Sequence, residues 1–321
     1  MGSHVIIASF LGINWAEAAQ LATNGIINGS AYGLLGAGFG LILGVTGRFH
    51  FAFAFTYTLS AYIAAVMASD EGINFWASLA IGLLVGVAAG VLIEAFVYRP
   101  VAARSGDRSL LTIFVASLGL TIAGQNAIQL KWGTGSKVFT GFNNAGHSVG
   151  SVFFTRVDEI AVVTVFVLVL ALQGVLRFTP LGRKIRAVRT NPEMAQAVGI
   201  GIGRTYLTVF AIGSALAGVA ALLAGVKYAA TAGMGTSPVF YAFLVAFLAG
   251  TRSAPLVVWA VGVGVGLVES LSALWISVQW SGLVVFAVLF LYLSYRSASV
   301  SLGRLRLPGD AKLALGLKRT N

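Results

Sequence analysis

Cysteine is absent from all 321 residues, which excludes disulfides and thiolate metal sites. Charge is also scarce. Only 10% of residues are charged, and 10 acids face 21 lysines and arginines. The three histidines, His4, His50 and His147, are too scattered along the chain to suggest a metal cage. No Gly-x4-Gly-Lys-Ser/Thr string occurs, so the amide cradle and lysine that hold a nucleotide phosphate are missing. Neither a zinc-binding HExxH, a Ser-His-Asp arrangement nor a dinucleotide fingerprint after a strand can be argued. Gly262, Gly264 and Gly266 lie in an apolar run and fit helix packing better than a phosphate loop. The chain is therefore not expected to be an enzyme, and no metal or cofactor is expected in it.

Apolar residues are what it has in excess. They make up 58% of the chain, and the mean hydropathy is +0.90, well outside soluble-globular values. The 40 glycines would weaken a soluble helical protein, whereas membrane helices use glycine for close packing. The apolar runs are too long and continuous for the roughly ten-residue alternating strands of a membrane β-barrel. The expected fold is an all-α polytopic helical membrane protein. A net charge of +11 invites a nucleic-acid reading, but the basic patches lack interleaved aromatics and any known module.

A span needs about twenty apolar residues, and about nine segments qualify. They are Leu21 to Val45, Phe49 to Ala68, Phe75 to Val97, Leu110 to Leu130, Ile160 to Leu176, Tyr206 to Val226, Val239 to Gly250, Pro255 to Ile276 and Gly282 to Tyr295. The seventh is short enough to be broken or re-entrant. If every segment crosses, Arg48, the group Arg99, Arg104 and Arg108, the basic stretch 177–204, Arg252 and the tail from Arg296 share one side. Asp70, Glu71, the polar loop 131–159 and the region near Ser237 share the other. The positive-inside rule then puts the N-terminus outside and the C-terminus inside. The implied organisation is an extracytoplasmic segment 1–20, a transmembrane domain 21–296 and a basic cytoplasmic tail 297–321.

Small residues recur at four-residue spacing. Gly36, Gly40 and Gly44 form one ridge, and Gly82, Gly86 and Gly90 another; each suits either packing within one bundle or a subunit interface. Polar groups inside spans are costly and tend to face the interior or mark a path. Glu269 is the acid expected to lie deepest. Asn24 with Asn28, and Gln125 with Gln129, sit four apart on one helical face each and are further path candidates, as is His50. Glu94 is expected to pair locally with Arg99 or Arg104. The aromatics Phe49, Phe51, Phe53, Phe55 and Tyr57 alternate along the chain; on a helix they would spread around its surface and face lipid or neighbours. Trp132, Trp275 and Trp280 fit an interfacial belt.

The stretch from Arg177 to Arg204 is polar and strongly basic, yet it separates two apolar segments. Within it Asn191 is a good N-cap, Pro192 suits the first helical position, and Glu193 favours the positive end of the helix dipole. Gly199 can take the left-handed conformation that ends the helix. A short helix with its own start and stop, on the basic side of a membrane protein, has the character of a docking element. The candidate docking residues are Arg186, Arg189, Asn191, Pro192, Glu193, Met194, Ala195, Ala197, Val198 and Gly199. Met194, Ala197 and Val198 would supply apolar contact, with Glu193, Arg186 and Arg189 at the rim.

These strings carry a resemblance. Glu193-Met194-Ala195 followed by Gly199 resembles the Glu-Ala-Ala-x3-Gly loop of bacterial ATP-binding-cassette import permeases, in particular the branched-chain amino-acid permease family. The preceding Gly182-Arg183-Lys184-Ile185-Arg186-Ala187 is similar to the same family. So are Asn24-Gly25, Gly29 and Tyr32 in the first segment, Tyr98-Arg99-Pro100 after the third, and Gly266-Leu267-Val268-Glu269-Ser270-Leu271 in the eighth. The likeness runs from about Leu21 to Tyr295. It departs at His50-Phe51-Ala52-Phe53-Ala54, where the family often has Asn-Phe-Ala-His-Gly, and at Arg296-Ser297-Ala298-Ser299, where it often has Arg-Pro-x-Gly-Leu. The first departure adds aromatic character and widens the solute class from branched-chain amino acids to aromatic or amide compounds.

The resemblance implies a permease subunit in a bacterial inner membrane. It would work with a second, related permease, two ATPase subunits that bind ATP and Mg, and an extracytoplasmic solute-binding protein. Two rivals from other classes remain. A self-sufficient secondary transporter or channel would favour a two-fold repeat and paired intramembrane charges, neither of which is evident. A membrane-embedded enzyme would need a catalytic cluster at one depth, and none is visible.

Overall fold

The computed structural model describes residues 14–106 and 109–305. Residues 1–13, 107–108 and 306–321 fall outside it, and with them His4, Arg108, most of the expected N-terminal segment and the distal basic tail. The helices are α1 (Trp15–Thr46), α2 (Phe53–Ser69), α3 (Phe75–Leu92), α4 (Arg99–Ser105), α5 (Ser109–Trp132), α6 (Arg156–Phe178), α7 (Pro180–Thr190), α8 (Pro192–Ala197), α9 (Ile202–Tyr228), α10 (Thr236–Ala249), α11 (Pro255–Ser272) and α12 (Val278–Leu305). A π-helical turn, Ile93–Tyr98, joins α3 to α4 without a break.

Among the described residues six helices are long and apolar enough to cross a membrane: α1, the continuous run Phe75–Arg104, α5, α6, α9 and α11. Three shorter apolar helices, Phe53–Ser69, Thr236–Ala249 and Gln279–Tyr292, occupy the remaining expected segments. The seventh segment is α10, whose 14 residues give a rod of about 21 Å, against a hydrocarbon core of roughly 30 Å. One correction concerns the all-α expectation. The loop 131–159 contains a β-hairpin, with β1 (Gly146–Val149) antiparallel to β2 (Val152–Thr155).

α1 is the central helix, packed against α6, α9, α10 and α11. Its contact with α11 is backbone on backbone. A methyl group at Gly25 would lie 2.9 Å from the Gly266 carbonyl oxygen, and one at Gly29 would lie 2.7 Å from that of Gly262. Glycine at these positions is what lets the two helices meet. The two expected ridges likewise pack inside the bundle. Gly36 meets Val245 and Gly40 meets Ala246 on α10, while Gly82 and Gly86 meet Ser60 of α2.

Of the alternating aromatics, Phe53, Phe55 and Tyr57 lie on α2 and face neighbours within the bundle, while Phe49 and Phe51 precede it. Residues 49 and 50 precede the helical turn of 51–52 that leads into α2, and Phe51, Phe53 and Tyr57 are buried. Phe51 packs edge-on to Phe114 at 5.3 Å and lies 5.6 Å from Phe243, while Phe39 packs edge-on to Phe53 at 6.0 Å. The segment that departs from the family pattern is therefore part of the core of this chain. Backbone polar groups of this segment are satisfied across the bundle: Phe51 N–H donates to Ser117 Oγ at 3.3 Å, and Thr121 Oγ donates to the Phe51 carbonyl at 3.1 Å.

Candidate functional site

At the hairpin end of the bundle, α1, α6, α9 and α11 enclose a cavity of about 480 Å³ lined by Asn24, Asn28, Asp158, Lys227 and Glu269, among others. Three of the sequence-derived path candidates, Asn24, Asn28 and Glu269, thus come together. Gln20, one turn before Asn24, donates to Asn24 Oδ1 at 3.1 Å and to the Phe153 carbonyl at 2.9 Å, and its own carbonyl accepts from Phe153 N–H at 2.7 Å. This clamp ties β2 to α1 and fixes the cavity rim.

Asp158 sits in the first turn of α6 within a capping box: its Oδ2 accepts from Thr155 N–H at 3.0 Å and from Thr155 Oγ at 2.8 Å. Its other oxygen pairs with Lys227, in the last turn of α9. Sequence reasoning did not single out Gln20, Asp158 or Lys227. Thr155 three residues ahead of Asp158 was the available signal for the cap, but nothing in the sequence joins Asp158 to Lys227.

Glu269 is held by Tyr241, whose hydroxyl donates to Oε1 at 2.6 Å. Tyr241 in turn stacks on Tyr32 of α1 at 4.3 Å with the rings nearly parallel. Among the described residues no basic side chain forms an ion pair with Glu269. Glu269 is half-buried; the more deeply buried acids are Glu94 at 1% and Asp158 at 5% exposure. A carboxylate steadied by a phenol and open to a polar cavity is suited to meeting a cationic group.

The other path candidates do not join this cavity. Gln125 donates to Thr236 Oγ at 2.8 Å, closing the start of α10, and Gln129 is exposed elsewhere on α5. His50 is fully buried, its Nδ1 2.8 Å from the Tyr98 hydroxyl. Glu94 pairs with Arg48 from the turn after α1 rather than with Arg99 or Arg104. Glu94 and Tyr98, four residues apart on the π-helical turn, both meet the segment after α1, Glu94 at Arg48 and Tyr98 at His50.

At the opposite end lies α8, flanked by the punctuation expected of it. Asn191 Oδ1 accepts from Met194 N–H at 3.0 Å. Gly199 has φ 83°, and the Ile200 N–H reaches back to the Ala195 carbonyl at 2.9 Å. Ala195 is buried and seats the helix on the bundle, while Met194 and Val198 are 65% and 74% exposed. Glu193 and Ala197 are exposed too. Beside α8 opens a basic cavity of about 740 Å³ lined by Arg99, Lys184, Val198 and Arg204, among others. Arg186 and Arg189 instead line a different cavity, which Val198 does not line.

Long apolar helices around a glycine-packed centre, a polar cavity at one end and an exposed capped helix at the other define a multi-pass membrane transport protein. The comparisons narrow the class. Residues 21–293 match the family described as branched-chain amino acid transport system, permease component, and the chain belongs to it. It is 30% identical to the high-affinity branched-chain amino acid transport system permease protein LivH of Escherichia coli, over 85% of this chain and 92% of LivH. It is also 30% identical to the corresponding BraD of Pseudomonas aeruginosa, over 89% and 95%. LivM of Salmonella typhimurium matches at 28% over 66% of this chain and 53% of LivM. No solved structure matches.

Proposed function

We propose that this chain is one of two membrane-spanning halves of an ATP-driven importer in a bacterial inner membrane, with its N-terminus outside and its C-terminus inside. The observation that carries the proposal is α8: a capped rigid helix that turns Met194 and Val198 outward beside the basic cavity of Arg99, Lys184 and Arg204. An ATPase subunit would bury the two apolar side chains and offer acids to the cavity. Closure of two such ATPases on ATP and Mg would push α8, and through Ala195 the bundle.

The solute would pass through the cavity of Asn24, Asn28 and Glu269 after delivery by an extracytoplasmic binding protein. An α-amino acid carries both charges, and the cavity presents acidic and basic groups in Glu269, Asp158 and Lys227. The relatives' names favour a branched-chain amino acid. Because LivH and LivM are each named as permeases of such a system, the second half would be a related chain.

The test is gentle purification from native membranes with mass spectrometry of what accompanies the chain. Stoichiometric ATPase subunits and a second permease, with ATP-dependent uptake in proteoliposomes, are expected. A chain-only oligomer that moves solute without ATP would replace the proposal with a secondary transporter or channel.

A further inference from the structure

Between the C-terminus of α6, the length of α7 and the connection from α10 to α11 lies a cavity of about 360 Å³ lined by Arg177, Arg186, Arg189 and Arg252. Four guanidiniums converge there, and among the described residues none has a carboxylate partner. Their contacts within the chain use few of the five N–H donors each carries. Arg186 donates to the Leu176 carbonyl, Arg189 donates to the Arg252 carbonyl at 3.3 Å, and Arg177 lies over the Phe178 ring at 5.4 Å. Burial, followed by the neighbouring Arg252 and Arg186, pushes the Arg189 guanidinium below its ordinary range, so the cluster repels itself as it stands. Gln173 completes the polar lining, and among the described residues its buried Oε1 has no donor.

The surroundings identify the kind of anion. The cavity lies at the C-terminal end of α6 and the N-terminal end of α11, two candidate spans, so a bilayer crossed by both would bring its headgroups to this level. Phe166, Leu170, Gln173 and Arg177 share one face of α6 at helical spacing. Of these, Phe166 and Leu170 are exposed apolar side chains, and Phe166 packs on Trp259 of α11 at 5.3 Å. An apolar strip thus runs along the α6–α11 contact directly to the arginine cluster. That is the arrangement for one molecule with a phosphate head and an acyl tail.

We propose that this cavity binds the phosphodiester headgroup of an anionic membrane phospholipid, with its acyl chain along Leu170 and Phe166. Arginine forks match phosphate oxygens bidentately, basic pockets between spans favour such heads, and a headgroup hydroxyl would satisfy Gln173 Oε1. The inference rests on the chain spanning a membrane and not on how α8 engages an ATPase. The lipid would brace α7, which leads directly into α8.

The test uses the full chain, with the subunits that accompany it, in nanodiscs of phosphatidylcholine containing a minority of phosphatidylglycerol, analysed by native mass spectrometry. Wild type should retain phosphatidylglycerol selectively. Arg189→Gln with Arg252→Gln should weaken retention roughly thirtyfold, two charges being lost at the membrane surface. Lys131→Gln, exposed at the far end of α5, should leave it unchanged. Equal melting of all variants in phosphatidylcholine alone verifies folding, and Arg189→Lys with Arg252→Lys should keep the charge-driven part should the glutamine pair melt early. The proposal is overturned by equal retention in wild type and the folded glutamine pair. It is overturned too if millimolar inorganic phosphate alone protects against melting as well as the lipid does. Expulsion of the lipid on ATPase binding would assign the cavity to a partner's acidic side chain instead.

Discussion

Arg48 and Glu94 form an ion pair inside the bundle, with side-chain exposures of 11% and 2%. Arg48 comes from the turn after α1 and Glu94 from the π-helical turn, so the pair fastens the entry to α2 onto the exit from α3. The Tyr98–His50 contact lies one turn further on. Removing one partner strands a buried charge. Arg48→Met should destabilise the protein by about 3–5 kcal/mol, and Arg48→Met with Glu94→Leu should recover much of that loss. Denaturant unfolding in micelles would check it; a single-variant cost under about 1 kcal/mol would mean the pair is well solvated.

Glu269 depends on Tyr241 for its position. Glu269→Gln keeps the shape and removes the charge, and should lower ATP-driven uptake by about tenfold to a hundredfold if a cationic group meets it, a loss of roughly 1.5–3 kcal/mol. Assembly with the other subunits should be unchanged. Full uptake in the variant would take Glu269 out of the path.

Met194 stands exposed on α8 and Val198 at its C-cap. Met194→Glu should weaken ATPase association by roughly thirtyfold or more, as loss of a central apolar anchor costs about 2 kcal/mol or above. Glu193→Arg should uncouple hydrolysis from uptake while the chain stays in the membrane. Affinity capture of the ATPase checks the first and the ratio of ATP hydrolysis to uptake in proteoliposomes the second; normal capture by Met194→Glu would move the docking surface elsewhere.

The α1–α11 contact admits no side chain at Gly29 or Gly262. Gly29→Ala should cost about 1–3 kcal/mol of stability, as for overpacking generally. Gly119→Ala on α5, where a methyl meets nothing within 4 Å, should be close to neutral. Parallel melting curves decide; equal curves would mean the two helices can separate freely.

Asp70 and Lys137 pin the loop after α5 to the end of α2, helped by Thr140 Oγ donating to the Ala68 carbonyl at 2.6 Å. The Lys137 hydrogen bond holds the Asp70 carboxyl below its usual 3.8, and that bond in turn raises the Lys137 ammonium above 10.5. The Asp70 contribution is therefore present above pH 4 and lost as pH falls through the lowered value. The Lys137 contribution is present below pH 10 and lost as pH rises through the raised one. Protection of residues 137–142 against hydrogen exchange, taken relative to the intrinsic rate at each pH, should be greatest between these limits, and Asp70→Asn should lower it there. The pair is exposed, so global stability should barely move. A protection factor independent of pH would show that Thr140 and the backbone bridge of Lys137 to Ala230 hold the loop alone.

Much of this protein is local and therefore legible in its chain. Hydrophobic length marks the apolar helices. Asn191, Pro192 and Gly199 mark the boundaries of α8, because capping involves groups only a few residues apart. Glycine spacing marks the close-packed faces, since four residues return a helix to the same side.

Tertiary structure decided which faces meet. It gave Glu94 to Arg48, 46 residues away along the chain, rather than to nearby Arg99. It folded Phe51 and Phe53 into the core, joined Asp158 to Lys227 and set Tyr241 on Glu269. It also divided the arginines of α7 from α8, gathering Arg186 and Arg189 with Arg252 from far along the chain. Such pairings depend on the relative rotation and depth of packed helices. Those are fixed only when buried charges and hydrogen-bonding groups must all be satisfied at once, a condition of the whole bundle and not of any one segment.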